Sequence, residues 1–399
     1  MRGRSLWLLA YFLLLASLPS TGVAQEPSAD PEGDSGSERG IAPDDPTSAG
    51  PVSTTPSSTG FAASSQIFAD YTHTNPTASD SFDEFSLRRA ELGVSYSAGS
   101  IFRAVTTLEA IRAAGEGSFF GVDGNSLLVR VKHAFADVDL AVGPISFEIR
   151  AGLIPEIVVE FLESGYGLRG ISATAGEHFG FFDTSDLGAS LGVGVLDAVF
   201  FQAQVTNGEG RNEVEQNDGK NLTLQLIGQL TALDVLGDRL RLAAGVSWRD
   251  GSLGIGSARN QRVAAGLFAL HPRFGAGAEI HFADGYAGRP DRTARGIGAW
   301  GEGFALPPWL GAFVRIDRFD GDPDHATDSG QLTLTAGLYS EPLDALLDDF
   351  APLGGTVRLY AGYRMERYGD DAEPLPGVAS VADSDQFFLS LAIQLGVEP

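Results

Sequence analysis

Basic side chains recur at alternate positions along short stretches of this chain: Arg89, Arg103, Arg130, Lys132, Arg150, Arg241, Arg262, Arg315, Arg358 and Arg364. Arginine stays charged at any physiological pH and grips a carboxylate or phosphate through paired N–H donors. Lining a narrow aqueous passage, such charges would select ions, because a low-dielectric wall focuses their field. The same positional parity also carries Glu91, Glu109, Glu148, Glu279, Glu302, Asp317 and Glu366. For any single base, pairing with a carboxylate on a neighbouring strand is the competing role, and it would only stiffen the wall. The excess of bases over acids on this parity predicts a mild preference for small anionic solutes.

Other chemistry has less to stand on. The chain has no Cys, which removes disulfides, thiolates and Cys-ligated metal. Its six His are scattered, and no nucleophile-elbow or zinc-protease motif is present. No enzyme activity, catalytic residue, cofactor or bound metal is expected. The segment "DGDPDHATDSGQ" (320–331) has carboxylates at calcium-loop spacing, but His325 and Gln331 replace the turn glycine and the bidentate Glu. It reads as a solvated acidic loop. A net charge of −25 argues against nucleic acid as a partner.

The elements that position the bases are strands. In "VFFQAQVTNGEG" (199–210), Val199, Phe201, Ala203 and Val205 share one parity, and Phe200, Gln202, Gln204 and Thr206 share the other. A strand sends alternate side chains to opposite faces. "NLTLQLIGQL", "DRLRLAAGVSW", "PISFEIRAGL" and "TVRLYAGYRME" repeat the pattern, with Leu, Val, Ile and Ala against Arg, Gln, Glu and Thr.

Such segments centre near Phe68, Leu92, Ala104, Val131, Ile149, Ala189, Ala203, Leu226, Ala244, Leu267, Ala278, Gly301, Phe313, Ala336, Ala361 and Leu391. Short connections (Ala98-Gly99-Ser100, Val142-Gly143-Pro144, Leu196-Asp197, His271-Pro272, Leu306-Pro307-Pro308) alternate with long polar ones. Glu341–Gly355 breaks this rhythm, and its "PLDALLDDF" reads as a brief helix. The fold class expected is all-β: a 16-stranded antiparallel transmembrane β-barrel with short periplasmic turns and long extracellular loops. Hydrocarbon offers no hydrogen-bond partners, so a membrane sheet must close on itself. That many strands enclose an aqueous channel. Tyr71, Tyr96, Trp248, Trp300, Trp309, Tyr339 and Phe387 lie near strand ends and are candidates for aromatic girdles at the lipid interface, with an ordinary packing role the equal alternative for each.

The N-terminus fits this placement. Arg2 and Arg4, an apolar run from Leu6 to Leu18 and a small-residue end at Ala24 read as a signal peptide over residues 1–24. Residues 25–60, rich in Ser, Pro and Asp, read as a disordered periplasmic leader. Residues 61–399 make the barrel domain, secreted across the inner membrane into an outer membrane of the Gram-negative type. Outer-membrane lipid is then the expected surrounding partner.

"SLRRAELGVSY" (86–96), "VRVKHAFADVDL" (129–140), "FEIRAGLIPEI" (147–157), "SDLGASLGV" (185–193) and "VTNGEG" (205–210), taken in series, resemble the phosphate-selective porin O and P family. The resemblance covers most of residues 61–399. It implies a sixteen-stranded outer-membrane porin, a homotrimer, that passes small anions. It also implies that the loop after the fifth strand folds into the lumen. The matching segment is Pro155–Ser185, whose Pro155, Glu160, Glu163, Arg169, Glu177 and His178 become candidate constriction residues. At Gly152-Leu153-Ile154-Pro155 the Lys usual in the family is missing, so phosphate specificity is not carried over. A substrate-specific channel for organic acids or hydrophobic compounds is one alternative. A plugged barrel acting as a surface adhesin or structural anchor is another.

Overall fold

A computed structural model of the protein describes residues 59–77, 80–112, 127–211, 217–253, 258–323, 329–342, 354–372 and 382–397. The signal-peptide reading and all of the leader reading but residues 59 and 60 fall outside this set, as do most of "PLDALLDDF" and residues 324–328 of the acidic loop. The strands are β1 (Gly60–Pro76), β2 (Phe82–Ala98), β3 (Phe102–Arg112), β4 (Leu127–Val142), β5 (Ile145–Pro155), β6 (Ser185–Val195), β7 (Val199–Thr206), β8 (Asn221–Val235) and β9 (Asp238–Asp250). They continue with β10 (Ser252–Leu253), β11 (Ala258–Arg259), β12 (Gln261–His271), β13 (Phe274–Asp284), β14 (Thr293–Leu306), β15 (Leu310–Asp320), β16 (Gly330–Ser340), β17 (Gly354–Tyr368) and β18 (Ser384–Val397). All but β10 and β11 form one closed barrel of antiparallel neighbours, sealed where β1 pairs with β18. The two short strands pair with each other in the β9–β12 connection. Each expected strand centre lies in its own barrel strand. A further tight turn, Leu236–Gly237, joins β8 to β9 and completes the series of short connections.

The outer face is the apolar parity. Leu92, Ile149, Leu191, Phe201, Leu267, Val314, Leu338 and Leu389 all point outward and are exposed. In β7 Gln202, Gln204 and Thr206 are buried on the inner side, while Val199, Phe201 and Val205 are exposed. No described helix is long and apolar enough to cross a membrane. A closed sheet with an apolar exterior satisfies every interior backbone group of the wall without water, as lipid requires.

Two of the register shifts in the ladder re-aim charged side chains. Phe68 pairs with Arg89 and Ala69 with Leu87, so Arg88 is skipped by the ladder. Thr107 pairs with His133 and Leu108 with Val131, so Lys132 is skipped. An extra residue in one strand re-aims the side chains that follow it. Arg88 and Arg89 therefore both serve the interior, and so do Lys132 and His133.

Part of the inner wall departs from the expectation of a uniformly wet bore. Phe68, Phe200, Ile227, Phe268, Trp300, Phe313, Phe319, Tyr339, Tyr360 and Phe388 are buried in one continuous apolar cluster with residues of the β5–β6 loop. Trp300 and Tyr339, candidates from sequence for either a girdle or a packing role, belong to this cluster and are 7% and 3% exposed. Ile297 and Leu338, on the opposite parity of the same strands, take outward positions instead. Trp309 and Phe387 do face outward.

Candidate functional site

The site begins with the loop that leaves β5. Its first part is helix α1 (Ile157–Ser164), and its return holds a single helical turn, α2 (Ala175–His178). In α1, Ile157, Val158, Phe161 and Leu162 recur with helical spacing and are buried. That face needs an apolar surface, and the inward side chains of the far wall supply it. Phe161 meets the Phe268 ring at 5.1 Å, and Tyr166 meets Trp300 edge-on at 5.6 Å. On the return, Phe179 stacks on Phe319 at 4.9 Å. The wall opposite α1 carries glycine where any side chain would collide. A Cβ on Gly245 or Gly266 would stand 2.6 Å from Phe161 or Leu162. The loop thus lies inside the barrel and packs against its wall from β8 round to β18.

Polar contacts fix the loop at every stage. Gln204 holds its start, donating to the Pro155 carbonyl at 2.7 Å. Glu156 and Arg249, both nearly fully buried, form an ion pair. Glu279 accepts from the Ala175 and Gly176 amides at 2.7 and 3.2 Å, which caps α2 from the wall. Glu279 also binds His281 Nε2 at 2.8 Å.

The predicted basic residues fall into two groups. The first is paired with carboxylates. Arg89 lies 3.2 Å from Glu91 and 3.9 Å from Glu177 of the loop. Arg103 pairs with Asp137 at 2.6 Å, Arg130 with Glu109 at 3.0 Å and Lys132 with Glu91 at 2.8 Å. Arg150 meets both Glu148 and Glu160 at 2.8 Å. Arg315 pairs with Asp317 at 2.5 Å, and Arg358 with Glu302 at 2.8 Å and with Glu341.

The second group reaches the main chain of the loop. Arg364 donates to Ile171 O at 2.9 Å, Arg262 to Phe181 O at 3.2 Å and Arg241 to Ser164 O at 3.4 Å. Arg358 also donates to Gly167 O at 3.1 Å, and Arg315 to Ala173 O. A neutral carbonyl accepts these hydrogen bonds without cancelling the guanidinium charge.

The candidate constriction residues lie off the apolar face. Pro155 ends β5. Glu160 faces Arg150, Arg169 pairs with Glu163 and lies 3.8 Å from Glu177, and His178 is exposed. The loop's charged edge thus turns toward the wall of β2 to β5, which carries Arg89, Lys132 and Arg150.

Sequence reading missed Arg88, which pairs with Asp70 and donates to Gly170 O at the loop tip. The signal was present, since outward apolar residues change from odd (Phe85, Leu87) to even (Leu92, Val94) numbers within β2. It also missed Arg249 and Arg211. Nothing local marked these, because their partners Glu156 and Glu109 lie far away in sequence.

A closed sixteen-stranded barrel with an apolar exterior and an internal loop has the fold of an outer-membrane porin, and its outer belt suits the outer membrane. Among solved structures, the chain is similar to an anion-selective porin from Comamonas acidovorans at a TM-score of 0.54 and 12% identity, over 85% of this chain and 100% of that one. It is similar to the outer membrane channel DcaP of Acinetobacter baumannii at a TM-score of 0.52 and 11% identity, covering 85% and 97% of the two chains. It is also similar to OmpT, an outer membrane protein of Vibrio cholerae in trimer form, at a TM-score of 0.51 and 12% identity, covering 84% and 99%. No family model and no curated protein matches the chain. At this identity the likeness is one of fold.

Proposed function

We propose that the barrel is a passive channel for small hydrophilic solutes, with a mild preference for anions such as phosphate or carboxylates, working as a homotrimer of the phosphate-selective porin O and P type. The observation that carries the preference is the second group of arginines. Arg262 and Arg364 donate to loop carbonyls and stand in no ion pair among the described residues. Their charge therefore adds to the potential of the interior. The preference is mild because the remaining bases are balanced by carboxylates.

The test is the reversal potential of the reconstituted protein under a KCl gradient. Chloride carrying most of the current supports the reading, and potassium carrying most of it refutes the anion preference. The mass of the unboiled species in detergent tests the trimer.

One observation favours a second reading. The apolar packing of the loop against the wall occupies part of the bore, as a plugged barrel serving as anchor or adhesin would need. An absence of any current across a planar bilayer would select that reading.

A further inference from the structure

At the long-loop end of the barrel the outward parity carries bases as well as apolar residues. Arg295 on β14 and Arg318 on β15 are both exposed on the outer face. The register sets Ile297 opposite Arg318 and Asp320 opposite Arg295, so the two arginines are diagonal neighbours on adjacent strands. Such positions lie about 7–8 Å apart. Arg295 shares its ladder level with Trp248, Val263 and Phe282, reading from β9 through β12 and β13 to β14. Trp248 and Phe282 are exposed as well. Outward aromatic rings of a membrane barrel gather where hydrocarbon gives way to headgroups. Toward the middle of the wall, Ile297 and Ile316 follow the two arginines on their own strands and are exposed.

Other exposed bases of this rim are matched by carboxylates. Arg259 lies 3.0 Å from Asp284 and 3.6 Å from Asp250. Arg367 lies 2.7 Å from Asp385 and 3.9 Å from Asp383. Arg295 and Arg318 stand in no ion pair or side-chain hydrogen bond among the described residues, although described strands flank each of them on both sides. Asp320, opposite Arg295, instead accepts through Oδ1 from Ser329 Oγ at 2.6 Å and from the Asp322 amide at 3.2 Å. In a chain of net charge −25, two guanidinium groups are thus placed side by side on the outer wall without a carboxylate between them. A phosphate there would remove their repulsion and accept their paired N–H donors.

We infer that Arg295 and Arg318 form a docking site on the outer wall for the phosphate of an anionic lipid headgroup. Long loops mark the extracellular end of such barrels, so the lipid is one of the outer leaflet. The headgroup phosphate lies at the level of the two arginines, and the acyl chains run along the Ile297 and Ile316 side of the same strands. Apolar wall begins two residues from each guanidinium, and an amphiphile satisfies both surfaces where a dissolved anion satisfies one. The inference needs only the lipid-facing exterior of the barrel and stands apart from the channel reading.

The test uses the full chain folded in micelles of a zwitterionic detergent at low salt. It is titrated with dilauroyl phosphatidic acid and, separately, with dilauroylglycerol, which lacks only the phosphate, and bound lipid is counted by native mass spectrometry. Tighter binding of the phosphatidic acid is expected. Arg295→Gln and Arg318→Gln should each weaken it about fivefold, and the double variant about thirtyfold, the loss of one and of two basic contacts to an anionic lipid. Heat-modifiable gel mobility reports whether each variant is folded, and the two single variants decide the site if the double does not assemble. Inorganic phosphate at the concentration of the lipid should not displace it. Equal affinity in the wild type and the folded variants, or equal binding of the two lipids, overturns the site. Displacement by inorganic phosphate overturns the lipid as its occupant.

Discussion

Arg150 Nη1 stands 2.8 Å from Glu160 Oε2, which ties the wall strand β5 to helix α1 just where the internal loop departs. Glu148 lies at the same distance from another nitrogen of that guanidinium, so Arg150 bridges wall and loop.

Glu160→Gln should leave Arg150 with one carboxylate instead of two, and the local potential should become more positive. The reversal potential in a KCl gradient is expected to move toward chloride. The stability cost should be small, at most about 1 kcal/mol, because Glu160 is partly solvated. A move toward potassium would mean that this pair does not face the conducting path.

Glu279→Gln should loosen the return of the loop. The carboxylate receives two amides of α2, and an amide side chain cannot accept both in the same way. Loss of a charged hydrogen bond of this kind costs about 1.5–3 kcal/mol. Single-channel records of the variant should show more frequent conductance fluctuations than the wild type. Identical noise would mean that the apolar contacts alone hold the loop.

Phe161→Ala removes a ring that is 2% exposed against Phe268 and the Gly245 and Gly266 backbone. Large-to-small changes in such packing cost about 3–5 kcal/mol. Gly245→Val should act from the opposite side by pushing the same ring off the wall. Both variants should unfold at lower temperature by heat-modifiable gel mobility, and both should show larger conductance if the loop narrows the bore.

Deletion of Arg88 should be tolerated by the barrel. The residue is skipped by the β1–β2 ladder, and its removal restores strict alternation from Leu87 through Arg89 to Ala90. Circular dichroism and gel mobility should match the wild type, while one interior cation is lost and the reversal potential moves toward potassium. Failure to assemble would show that the bulge is needed for closure.

Period-two alternation is a local property, and it made the strands legible. Leu222, Leu224 and Leu226 against Thr223, Gln225 and Ile227 state which face meets lipid without reference to any other strand. Even Ile227, which breaks the polar pattern, carried a message: it is fully buried beneath the loop. The length rhythm of the connections then gave the closed antiparallel order. Trp300 and Tyr339 stayed ambiguous in sequence because an aromatic near a strand end suits either a lipid interface or a loop-packed interior. Their partners Tyr166 and Phe304 distinguish the two cases only in three dimensions.

By itself, then, the sequence determined a lipid-facing barrel of sixteen strands, because hydrogen-bonding backbone in hydrocarbon permits no open sheet and alternation assigns each side chain a face. Only the tertiary structure decided what those inward charges do. Arg358 meets Gly167 across 191 residues, and Arg211 meets Glu109 across 102. Closure of the cylinder creates such neighbours, and whether an arginine ends on a carboxylate or on a carbonyl depends on which distant segment is folded inside.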